Sequence, residues 1–148
     1  MDMDAAPLGD FPVHVGFAHV GTARRAETVT LRAVRVRLRD NTAGATATVA
    51  LCTRRPVAEG TLSTGIGLAR DEPDLGKYCT SLRPVRPGTK MRLDDGDQYL
   101  IASISPSRPG RAVFADADLT YSRDARHLYQ RGTQHVAIDT ITTVRVSD

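Results

Sequence analysis

The stretch RDARHLYQRGTQHV, residues 123–136, gathers two of the four histidines, one of the four tyrosines and three arginines between two strand-like runs. Imidazole, phenol and guanidinium side chains suit metal binding, proton transfer or recognition, and the rest of the chain must supply whatever completes each. For a metal it supplies little. His14 and His19 differ by five positions and so fall on opposite faces of a regular strand. His127 and His135 could approach each other across a loop, but no carboxylate or thiolate is spaced to complete their ligand set. Catalysis lacks its local signatures too: no GxSxG elbow or comparable arrangement activates a nucleophile. The DDGD run at 94–97 has neither the alternating ligands nor the closing Glu of an EF-hand and reads as a turn. No cofactor fingerprint is present, so no enzyme, metal or cofactor is expected.

Recognition remains. If the last two apolar runs pair as a hairpin, residues 122–134 connect them, far more than the two to five residues usual for such loops. Long loops carried by rigid sheets commonly hold binding residues, and Tyr and Arg are enriched at interface hot spots. Arg126, His127, Leu128, Tyr129 and Arg131 are therefore the expected contacts to a protein partner. The alternative is a short helical turn that tucks Leu128 and Tyr129 over the end of the core.

Two further sets bear on chemistry. Cys52 and Cys79 lie 27 positions apart, at the end of one strand-like run and the start of another. A disulfide there would close the weakest-patterned segment and contribute about 3.5 kcal/mol by the chain-entropy model. It would also imply an oxidising compartment; the alternative is two buried thiols in a reducing one. Arg35, Arg37 and Arg39 project together as a cationic row, with Asp116 and Asp118 an acidic pair on another strand. The two sets are expected to face each other as cross-strand pairs or to stay solvated. Such a row would protect an edge from aggregation or meet an acidic partner.

The elements that must position these groups read as strands. Period-2 alternation recurs between turn clusters while helical periodicity is nearly absent, which predicts an antiparallel sandwich. FPVHVGFAHV places Phe11, Val13, Val15 and Phe17 on one face. ETVTLRAVRVRLRD turns Val29 and Leu31 inward, then Val34, Val36 and Leu38, a change of phase that requires a β-bulge near Ala33. DNTAG leads into ATATVALCT, and a short edge strand is expected within 62–68. KYCTSLRP and VRPGTKMRL follow, with a turn at Pro87 and Gly88. LDDGDQY reads as a hairpin through Asp95 and Gly96, and the spacing of Asp95 to Tyr99 is that of a tyrosine corner. RAVFADADLTY places Val113, Ala115, Ala117, Leu119 and Tyr121 on one face, with Phe114, Asp116 and Asp118 on the other. HVAIDTITTVRV closes the chain. The fold expected is all-β: an immunoglobulin-like antiparallel sandwich of about eight strands over 11–148, after a flexible arm at 1–10.

Length and composition agree with one domain. The 148 residues are 41% hydrophobic and 25% charged, ordinary globular values, and the core must be built from Val, Leu, Ile and Ala because Trp is absent. The net charge of +3 is carried almost wholly by Arg, which high-GC coding explains as well as function does. Without aromatic interleaving or a known motif, nucleic acid is not an expected partner. No apolar run is long enough to span a membrane. The N-terminal DAAPLGD suits the start of a mature exported chain from which a signal has already been removed.

The tract PSRPGRAVFADADLTYSRDARHLYQRGTQHV, with the Arg-rich and Lys-poor composition, resembles the C-terminal strand pair of small, largely uncharacterised secreted actinobacterial proteins with an immunoglobulin-like sandwich. The resemblance implies export and carries no catalytic residues to transfer. The expectation is a secreted, non-enzymatic protein-binding module, an adaptor or accessory subunit. A carbohydrate-binding sandwich using Tyr78, Tyr99, Tyr121 and Tyr129, or a small metal-handling protein, is the alternative.

Overall fold

The computed structural model describes residues 2–17, 27–55, 66–68, 75–93, 98–123 and 133–148. Its strands, in chain order, are β1 (Ala6–Pro7), β2 (Val13–Phe17), β3 (Glu27–Arg39), β4 (Thr46–Arg54), β5 (Ile66–Leu68), β6 (Cys79–Pro84), β7 (Lys90–Leu93), β8 (Gln98–Ser105), β9 (Gly110–Arg123) and β10 (Thr133–Ser147). Eight of these span four residues or more, and no α-helix occurs among the described residues. One sheet has the order β1-β10-β9-β3-β7 and the other β5-β2-β8-β4-β6. The chain is thus an all-β, two-sheet sandwich, as the alternation predicts.

The inner faces meet in a single large core. Val13, Val15 and Phe17 of β2 and Leu100, Ala102 and Ile104 of β8 pack against Ala112, Phe114, Ala117 and Leu119 of β9 and Val144 and Val146 of β10. Phe114 is fully buried and meets the Phe17 ring edge-on, with centroids 5.5 Å apart. This reverses the face expected for Phe114. Against β3 the pairing of β9 shifts between Phe114 and Asp116, so that Ala115 is an extra residue and the strand changes phase there; the pairing with β10 shifts at the same place, where β10 carries the additional residue between Asp139 and Thr142. The break is silent in the sequence because Val113, Ala115, Ala117 and Leu119 look like one unbroken apolar face. The bulge read near Ala33 lies between Leu31 and Ala33 on β3.

Two expected local structures change. β7 pairs with β3 in the first sheet, whereas β8 pairs with β2 and β4 in the second. The chain between them therefore crosses the sandwich instead of forming a hairpin; Asp95 and Gly96 lie outside the described residues. Tyr99, read with Asp95 as a tyrosine corner, is buried beside Cys52, Cys79 and Ile101 on the outer face of the second sheet; the corner itself lies outside the described residues. The N-terminal arm is also docked. Ala6 and Pro7 run parallel to Val146 and Ser147, the Met3 amide donates to the Thr143 carbonyl at 3.1 Å, and Ala6 is buried.

Two crossings from sheet to sheet lock against each other at one end. The Ser107 and Arg108 amides donate to the Ala43 carbonyl at 3.0 and 3.3 Å, and the Ala43 amide donates to the Arg111 carbonyl at 3.1 Å. Gly110, at φ +148°, lies so close that a Cβ would stand 2.8 Å from the Ala43 nitrogen and 2.9 Å from the Thr42 carbonyl carbon. At the opposite edge the disulfide Cys52–Cys79 joins β4 to β6, neighbours in one sheet, with Cα atoms 5.4 Å apart.

Replacing Cys52 and Cys79 together by Ala is expected to lower unfolding free energy by about 3.5 kcal/mol, read as a lower urea midpoint that dithiothreitol no longer shifts. Gly110→Ala is expected to cost about 1–3 kcal/mol, because the obstructing atoms are backbone and cannot rotate away; equilibrium urea denaturation measures it.

Candidate functional site

The expected site residues of the last hairpin, Arg126, His127, Leu128, Tyr129 and Arg131, lie outside the described residues. What the structure does show is that hairpin's frame. β9 and β10 pair from Ser122 with Thr133 down to Gly110 with Val146. Four residues assigned to the connection, Ser122, Arg123, Thr133 and Gln134, belong to the strands, which leaves 124–132 between them.

The charged row resolves into two kinds of arginine. On β3 and β9 the register sets Arg37 opposite Asp116 and Arg35 opposite Asp118. The Arg37 Nε donates to Asp116 Oδ1 and its Nη2 to Asp118 Oδ2 at 2.9 Å, while the Arg39 Nη2 reaches Asp116 Oδ2 at 3.3 Å. The hydrogen bond and charge of Asp116, with Asp118 beyond it, hold the Arg37 pKa above its ordinary value. Arg37 and Arg39 are thus held in a cross-strand network. Arg35 is exposed and, among the described residues, makes no ion pair.

On the opposite face of β3 the structure opens a groove that the sequence did not disclose. Glu27 to Thr30 pair with β7, and Leu31 is held by the turn that precedes it: its amide donates to the Thr89 carbonyl and its carbonyl accepts from the Gly88 amide, both at 2.8 Å. That turn, 86–89, has Pro87 second and Gly88 third at φ +96°, the geometry of a type II turn. Beyond the bulge, no described strand pairs with the outer edge of β3. β4 is left open in the same place, because its pairing with β6 covers Ala50 to Arg54 and ends where the Val85 amide donates to the Val49 carbonyl.

Between these two uncovered edges lies a groove of about 650 Å³. Val34, Val36 and Leu38 form one wall and Ala47 and Val49 the other, with Val85 at one end and Asn41 at the other. These apolar side chains face inward, pack against the margin of the core and stay half-buried. Arg32, Arg35 and Arg86 stand at the rim, exposed, and among the described residues no Asp or Glu lines the groove. Its shape and chemistry suit an extended apolar segment.

The remaining candidates sit elsewhere. His14 projects from the outer face of β2, where its Nδ1 lies 2.8 Å from the Ser103 hydroxyl oxygen. His19 and His127 lie outside the described residues, and His135 is placed only as the β10 partner of Thr120. Among the tyrosines, Tyr99 is 4% exposed, with the Arg54 guanidinium carbon 5.7 Å from its ring centre. Tyr78 packs on the disulfide and Tyr121 on the main core. These three do not share the exposed face that sugar stacking needs, and Tyr129 lies outside the described residues.

Partial burial holds the His14 pKa below its ordinary 6.5. Below pH 6.5 the unfolded chain therefore takes up a proton at this site more readily than the folded one. Stability from His14 is present above that value and is lost as pH falls toward the lower folded-state pKa. His14→Gln is expected to flatten the decline in unfolding free energy between neutral and mildly acid pH relative to the parent chain, measured by urea titration across that range.

Compared with known proteins, the chain matches no family model, no curated protein and no solved structure. Function has therefore to be argued from the molecule's own chemistry.

Proposed function

We propose that this protein is a non-enzymatic protein-binding module, an exported adaptor or accessory subunit of an extracellular assembly. The observation that carries the reading is the half-covered apolar groove between β3 and β4. A sandwich that closed on itself would bury Val34, Val36 and Leu38 under a longer neighbouring strand; here they stay partly exposed beside a wall supplied by β4. Exposed apolar surface rimmed by charge is the usual mark of an interaction site. The Cys52–Cys79 disulfide supports an oxidising compartment such as the cell exterior.

The connection between β9 and β10 is assigned a second contact, through Arg126, His127, Leu128, Tyr129 and Arg131. It joins β9 and β10, the two longest of the described strands, and a loop carried by a rigid sheet is a common place for binding residues.

Cross-linking the purified protein to material exported by its source cells, followed by mass spectrometry, tests the reading. A discrete partner is expected, with capture reduced at least about tenfold, or about 1.4 kcal/mol, by Ala47→Phe in the groove or by joint replacement of Leu128, Tyr129 and Arg131 with Ala. Undiminished capture by both variants would remove the basis of the proposal.

A further inference from the structure

We infer that the groove accepts an extended acidic segment of a partner protein, which adds as a strand to the uncovered edge of β3 and takes up the line that β7 abandons at Thr30. The inference rests on the protein-binding reading and names the chemistry of the partner.

Three observations lead to it. The first is the edge. β3 continues as a strand to Arg39, paired with β9 on one side, while its pairing with β7 ends at Thr30. Alternate residues of such a strand direct amide and carbonyl groups outward, and an added strand can satisfy them. The second is the wall. Val34, Val36 and Leu38 alternate along β3 and face Ala47 and Val49 across the groove. An incoming strand would set every second side chain into this space. From Ala33 to Leu38 the window is about 20 Å long at about 3.3 Å per residue, which takes a segment of about six residues.

The third is charge. Among the described residues, Arg32, Arg35 and Arg86 line the groove, no acidic residue does, and none of the three makes an ion pair. Neighbouring Arg37 and Arg39 are already held by Asp116 and Asp118. The uncompensated arginines favour Asp or Glu on the outward positions of the incoming strand. They also oppose the obvious competitor, a second copy of this chain, because joining two such edges would bring like charges together.

The probe is a capped peptide of about seven residues alternating Glu and Val, labelled with fluorescein and followed by anisotropy, with amide hydrogen exchange read on β3. Saturable binding below millimolar peptide is expected, with slowed exchange within 33–39. N-methylation of alternate peptide nitrogens should abolish binding, since it removes the strand's donors but keeps its side chains. Joint Arg35→Glu and Arg86→Glu substitution should weaken the Glu/Val peptide at least about tenfold and favour a Lys/Val peptide instead. Both arginines are exposed, so the variant is expected to unfold at the same urea concentration as the parent.

No saturable binding at millimolar peptide would overturn the inference, as would equal binding of the N-methylated form. So would slowed exchange within 33–39 that follows protein concentration without peptide, which identifies a second copy as the occupant. If the peptide fails while Ala47→Phe still diminishes capture of an exported partner, strand addition falls and the protein-binding reading stands. If the peptide binds while Ala47→Phe leaves capture of the exported partner undiminished, the groove is not where that partner docks and the inference falls with the groove's part in the reading.

Discussion

β3 and β9 pair along most of their length, and each carries one extra residue that exchanges its inner and outer faces. The constraint is simple: side chains alternate with a period of two, so a single inserted residue moves every later side chain to the other side of the sheet. On β3 the insertion between Leu31 and Ala33 keeps apolar residues inward on both sides of the break. On β9, against β3, it falls at Ala115 and lets both Phe114 and Ala117 enter the core. Without it, the largest core side chain would face solvent or the Asp116 carboxylate would face Phe17.

The same two shifts set the surface chemistry. Past its bulge, β3 presents Arg35, Arg37 and Arg39 to the side on which β9 presents Asp116 and Asp118. Pairing there is unequal, because two arginines crowd onto Asp116 and the third is left over. The arginine ends of these pairs are exposed while Asp116 is buried; their consequence is to divide one row into held and available cations. On the inner side the bulge coincides with the point where the 86–89 turn meets β3, so the phase change and the end of strand coverage occur together. The groove is the space left by that coincidence.

Around this opening the sandwich is fastened at one end, by the crossing that borders the groove at Asn41 and Ala45, and along one edge, by the disulfide. The interlocked crossings around Ala43 and Gly110 close one end of the sandwich, and the disulfide ties down the edge strand β6 over the outer cluster of Tyr99 and Ile101. A scaffold held at its end and its edge can leave a stretch of β3 without a neighbour. The docked N-terminal residues serve the other flank, where they cover part of the free edge of β10.

Much of this was legible in the residues. Alternation of Val, Leu and Ile with polar residues demands sheets whichever strands are neighbours, and a switch of phase between Leu31 and Val34 demands a bulge. The cysteine spacing and the opposed Arg and Asp rows also announced contacts that form. Hidden were the Ala115 bulge, masked by small apolar residues that fit either face, and the crossing between β7 and β8, since a turn sequence does not say to which sheet the next strand returns. The groove was hidden for the same reason. Local sequence determines which side chains point inward, because that depends on neighbours two positions away. How far β7 and β6 cover β3 and β4 depends on the register of strands distant in the chain, and only the assembled sheets decide it.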